Sequence, residues 1–76
     1  MIPADYSNSE IEEIIKEYIH SERDRSVLYS RYIDGYTYEK IAEKHDLSVR
    51  HIKNIIYKHE NTIFMHLEKK SNLFKP

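Results

Sequence analysis

The chain is 76 residues long, with a formal net charge of −1, one glycine, two prolines and no cysteine. At that length it holds a single domain, residues 1–76, which buries only roughly 60% of its unfolded surface. The missing cysteines exclude disulfides and thiolate metal sites, and no apolar run approaches the ~20 residues needed to cross a bilayer, so a cytoplasmic protein outside the membrane is expected.

The apolar spacing is helical throughout. Ile11, Ile14, Ile15, Tyr18 and Ile19 recur at i, i+3, i+4, i+7 and i+8, and Ser9 with Glu12 has capping-box spacing, which predicts an acidic first helix from about 10 to 20. Ser21, followed by Glu22 and Asp24, opens a second helix whose inner side is Val27, Leu28, Tyr32 and Ile33. Gly35 ends it, since glycine accepts the left-handed conformation that closes a helix. Thr37 caps a third helix over about 38–45, and Asp46-Leu47-Ser48 forms the turn to a fourth, with Leu47 facing inward and Ser48 as cap. The fourth helix starts at Val49 and keeps its inner stripe through Ile63 and Leu67. Phe64 falls to the side of that stripe, so either the helix bends near Asn61-Thr62 or Phe64 packs on something else, a second subunit being one candidate. From Lys69 the tail is polar and expected to fray, with Leu73 and Phe74 able to dock. The fold class expected is therefore all-α, a small bundle of about four helices.

Within it, residues 37–58 read as a helix-turn-helix. Ala42 is small where a second helix must cross closely, and the fourth helix sets Arg50, Lys53, Asn54 and Tyr57 on the side away from Ile52, Ile55 and Ile56. A rigid helix pair with such a strip suits the major groove of double-stranded DNA. A guanidinium at Arg50 can donate twice to guanine, and Asn54 can pair in two-point fashion with adenine. Val49 could touch a thymine methyl, Lys53 a guanine or a phosphate, and Tyr57 a base edge or the backbone. Thr37 and Ser48 sit at helix N-termini, which favour anions, and Lys40, Lys44 and Lys58 are candidate backbone contacts. The charge distribution fits two surfaces. Met1 to Asp24 holds seven acids against Lys16 and Arg23, a balance of −5, while the remainder has ten basic residues against six acids, a balance of +4.

The stretch Ser21 to Lys58 resembles region four of the sigma-70 family, the helix-turn-helix domain that reads the promoter −35 element. SERDRSVLYSRY is similar to the family's arginine-bearing helix, and TYEKIAEKHDLSVRHIKNI to its helix-turn-helix core. The resemblance implies base contacts at Val49, Arg50, Lys53 and Asn54, and backbone contacts at Arg23, Arg31, Thr37, Tyr38 and Lys58. It also implies a bacterial transcription regulator that touches RNA polymerase. No segment resembles the family's promoter-melting region, so initiation directed by this chain alone is not expected. Val49 stands where the family often has arginine, and Asp46 occupies a turn position where many other helix-turn-helix proteins have glycine.

Other chemistries fare worse. Five histidines invite a metal, and His59 and His66 lie seven apart, but no spacing brings ligands together as zinc requires, so no metal or cofactor is expected. Phosphate-binding glycine loops and a nucleophile elbow are absent, so neither is an enzyme. The rival reading is a helical protein-interaction module that binds no DNA, favoured by the near-neutral charge, the acidic first helix and Phe64. If the chain does bind DNA, a homodimer on a palindrome would enlarge the limited contact area of one small domain.

Overall fold

The computed structural model describes residues 7–72, with side chains described through residue 69. Four helices follow in order: α1 (Asn8–Tyr18), α2 (Glu22–Tyr32), α3 (Tyr38–His45) and α4 (Val49–Asn72). The expected α-helical bundle is what forms, and the described residues contain no strand. Helix α4 touches the other three, whereas α1 and α3 do not meet. At 24 residues it is about 36 Å long and sets the long dimension of a molecule 46 × 22 × 17 Å across.

Three caps are those the sequence predicts: Ser21, Thr37 and Ser48 accept from the backbone amides of Asp24, Lys40 and His51 at 3.3, 3.2 and 3.0 Å. The first helix differs. It starts two residues early, because Ser7, not Ser9, accepts the amide of Glu10 at 3.2 Å. Ser7 and Glu10 carry the same capping spacing, and the earlier start lets Ile11 donate its amide to Ser7 as well. The helix also stops early. Ile19 turns extended, with φ −109° and ψ 114°, and its side chain goes inside at 2% exposure.

What makes that exit stable is Arg25 of α2. Its Nη2 donates to the Lys16 carbonyl at 2.7 Å and its Nε to the Ile19 carbonyl. A guanidinium thus satisfies carbonyls that the end of α1 leaves open and places positive charge at the negative end of its dipole.

One cluster forms the core: Ile11, Ile14, Ile15 and Ile19 from the first helix and its exit, Val27 and Leu28 from α2, Ile41 and Ala42 from α3, and Ile52, Ile55, Ile56, Ile63 and Leu67 from α4. Phe64 packs half-buried against it, and α4 continues unbroken through Asn72. Asn61 and Thr62 thus lie within continuous α-helix, the helix runs on past Lys69, and Phe64 packs within its own chain. Leu73 and Phe74 lie outside the described residues. Tyr18, expected at the core edge, is 40% exposed and stacks on His66, ring centroids 3.6 Å apart and planes within 5°. Among the described residues, no helix is long and apolar enough to cross a membrane.

Candidate nucleic-acid interface

The turn between α3 and α4 decides how α4 is presented. Asp46 sits in the left-handed region at φ 55° and ψ 44°. Leu47 donates its amide to the Ala42 carbonyl at 2.9 Å, and Asp46 donates to Glu43 at 3.4 Å. This pair of bonds is a Schellman closure with an aspartate where glycine is usual. Leu47 then packs against the core, and Ser48 opens α4 at once, so two residues separate one helix terminus from the next cap. A turn this short, pinned on both sides, leaves the two helices no independent freedom.

On α4 the buried residues Ile52, Ile55 and Ile56 are at most 4% exposed, while Arg50, Asn54, Tyr57 and Lys58 face solvent. Tyr57 is the most open of the large hydrophobic side chains among the described residues, at 58%. The helical period explains the division: successive positions rotate by about 100°, so a three-isoleucine stripe forces the intervening residues outward. Val49 and Lys53 are intermediate. Val49 leans on the core, which leaves less of it for a groove than its position in the sequence suggests.

Three of the expected site residues come together. The Arg31 guanidinium lies 4.3 Å and the Lys53 ammonium 5.4 Å from the centroid of the Tyr38 ring. Arg31 is anchored by a 3.0 Å hydrogen bond from Nη1 to the Tyr36 carbonyl, and so ties α2 across the α2–α3 turn. That turn is shaped by Gly35 at φ 72°. Beside the cluster is an open cleft of about 580 Å³, lined by Arg31, Tyr32, Gly35, Tyr38, Ile56, Tyr57 and Glu60. Burial, with the nearby charge of Glu60, pushes the Tyr32 phenol up to about 12, against a smaller opposing effect of Arg31. Lys44 lies over Tyr36 at 5.7 Å, and exposed Lys40 lines a second hollow with them. Thr37 and Ser48 are exposed caps of α3 and α4.

Arg23 stands apart, at the opposite end of α2 from Arg31, with its Nε on Asp24 Oδ1 at 3.3 Å. Asp24 stands in the first turn of α2, as the sequence predicts. It is also 4% exposed and accepts a 2.8 Å bond from His59 Nε2 on α4. Burial works to raise its pKa, but the hydrogen bonds and charges of His59 and Arg23 outweigh that, and Asp24 titrates below its ordinary 3.8. The capping spacing from Ser21 to Asp24 was a visible signal for its place in the first turn. Its partner 35 residues on was not. Ser26 and His45 make a further link, from α2 to the end of α3, at 3.4 Å.

The arrangement offers a rigid convex helix with a polar ridge, flanked by cations. A family model described as Sigma-70, region 4 matches residues 21–58 of this chain. Neither the curated proteins nor the solved structures contain a match.

Proposed function

Because this chain belongs to the sigma-70 region 4 family, we propose that it binds double-stranded DNA sequence-specifically and regulates transcription. The observation that carries this reading is the exposed ridge of Arg50, Asn54 and Tyr57, held up by the buried isoleucines behind it. Arg50 and Asn54 are one helical turn apart, so they address neighbouring base pairs, guanine for the guanidinium and adenine for the amide. Val49 adds at most an apolar edge contact, and Tyr57 continues the ridge toward the backbone. Thr37, Ser48 and Lys58 are the nearest candidates for phosphates, with Lys40 and Lys44 along α3 and Arg23 at the periphery.

Region 4 domains bind RNA polymerase as well as DNA, and we assign the same pair of partners to this chain. The acidic outer face of α1, with Glu12 and Glu17 exposed and outside the matched residues, supports a protein partner on that side. Pure protein interaction without DNA is the second reading.

Selection of bound duplexes from a random pool, followed by a salt titration on the winner, tests the proposal. An enriched motif is expected, with affinity falling steeply as salt rises, because each phosphate contact releases counterions. A pool that stays random, with no binding even at low salt, would leave the protein-interaction reading in possession.

A further inference from the structure

We infer that Lys53 contacts a phosphate rather than a base, and that with Arg31 it forms a clamp around Tyr38 which seats one DNA phosphate at the edge of the α4 ridge. This rests on the duplex-binding reading above and sharpens it.

Position on the helix is the first argument. Taking Arg50 as the centre, a rotation of about 100° per residue puts Asn54 about 40° to one side and Tyr57 about 20° to the other. Lys53 then falls about 60° off centre and Lys58 about 80° off on the opposite side. The ridge is thus bracketed by one lysine on each edge. A helix in the major groove meets bases along its middle and the two backbones along its flanks.

Side-chain placement is the second. Lys53 does not extend with Arg50 and Asn54. It is half-buried, with its ammonium drawn back over the Tyr38 ring at 5.4 Å, where Arg31 already lies at 4.3 Å. Both distances are within cation–π range.

Charge is the third. The ion pairs among the described residues join Arg23 and His59 to Asp24, and neither Arg31 nor Lys53 has a carboxylate partner. Glu60 lines the same cleft as Arg31 and Tyr38 without forming an ion pair with Arg31, and it stands seven positions from Lys53, about 10 Å along α4. Two unneutralised cations sharing one ring repel each other, and an anion held between them removes that repulsion.

The experiment uses the full chain and the duplex from the random-pool selection, with single-base variants of that duplex. Lys53→Gln should weaken binding to all of them alike and make the slope of log affinity against log salt shallower by about 0.9. Lys53→Arg should restore the slope, and Tyr38→Ala should reproduce part of the loss, with thermal melts checking that each variant is folded. Asn54→Ala is the contrast: discrimination at one base pair relaxes while the slope stays. Relaxed discrimination in Lys53→Gln at unchanged slope, or no change in either quantity, would overturn the clamp. Wild-type chain that binds no duplex at low salt would instead remove the underlying reading, and that outcome is visible before any variant is made.

Discussion

The matched helix-turn-helix, residues 21–58, and the segments that flank it differ sharply on the outside and hardly at all on the inside. The first shows solvent a mixed surface, with Lys40, Lys44, Arg50 and Lys58 exposed among Glu39, Glu43 and Asp46. The flank is α1 with the far half of α4, and α1 carries four acids against Lys16. Beneath those surfaces there is no seam. Ile14, Ile15, Ile63 and Leu67 of the flank are as buried as Ile41 and Ile52 of the helix-turn-helix and belong to the same cluster. Helix α4 alone runs through both regions, so its near half presents the ridge and its far half provides the floor on which α1 lies. The division between the regions is one of surface charge. Core changes should therefore be felt everywhere, and surface changes only locally.

The largest effect tests the shared interior. Ile63→Ala in the flank and Ile52→Ala in the helix-turn-helix should each cost about 2–5 kcal/mol, the range for truncating a buried aliphatic side chain. In a domain this small that lowers the melting temperature by at least about 8 °C. Both variants should melt in a single transition by circular dichroism. A two-step melt in Ile63→Ala, with the helix-turn-helix surviving, would show that the flank is an appendage.

Next comes the exposed ridge. Arg50→Ala should lose about 1–3 kcal/mol of discrimination, roughly 5- to 150-fold between the selected duplex and its one-base variant. Its melting temperature should hardly move, because the side chain is exposed. In the flank, Glu12→Gln together with Glu17→Gln should leave that discrimination intact. A loss of base preference in the acidic variant would dissolve the distinction between the two surfaces.

Besides Arg25 at the end of α1, a polar joint across the regions is Asp24 to His59, from α2 to the first residue of α4 beyond the matched segment. Asp24→Asn should cost about 1–2 kcal/mol at neutral pH, since a charge-assisted bond in a nearly closed site is lost. The pH dependence has a definite sign. A carboxyl whose folded pKa lies below its ordinary 3.8 binds its proton more readily when unfolded. Its stabilisation is therefore complete above that value and disappears as pH falls through the lower folded pKa. Urea unfolding between pH 5 and pH 2 should show the wild type losing more stability than Asp24→Asn. Parallel curves would mean that the joint does not hold the two regions together.

Legibility in the sequence followed the range of the interaction. Ser21, Thr37 and Ser48 were readable as caps because each bonds an amide three residues away. The ridge and stripe of α4 were readable because both follow from one helical period. The start of α1 is ambiguous for the same reason: Ser7 and Ser9 each precede a glutamate by three residues, while its end depends on the packing of Ile19 and the reach of Arg25 from α2. Asp24 with His59, Arg25 with the end of α1, and Tyr18 with His66 join residues from separate helices, and no local pattern announces such pairs. Tyr38 was expected at the interface by resemblance, but its place between Arg31 and Lys53 depends on three elements meeting.

The smallest predicted effects compare two turns that need a left-handed residue. Gly35, at φ 72°, has nothing within 4 Å of where a Cβ would stand, so Gly35→Ala sets backbone strain against the entropy glycine loses on folding, a net cost of about 1 kcal/mol. Asp46, at φ 55°, already carries that strain, so Asp46→Gly relieves some of it. Yet the carboxylate lies between the C-terminus of α3, whose dipole disfavours it, and the N-terminus of α4, whose dipole favours it, each by roughly 0.3–1 kcal/mol, and glycine also costs entropy in the unfolded chain. The opposing contributions should leave Asp46→Gly within about 0.5 kcal/mol of wild type. Asp46→Asn separates them, because asparagine tolerates the same backbone but has no charge. Because the two dipoles act oppositely on the charge, it should differ little from wild type at low salt, and any gap should close as salt screens them. A gap that persists at high salt would mean that the aspartate is kept for a hydrogen bond and not for its charge.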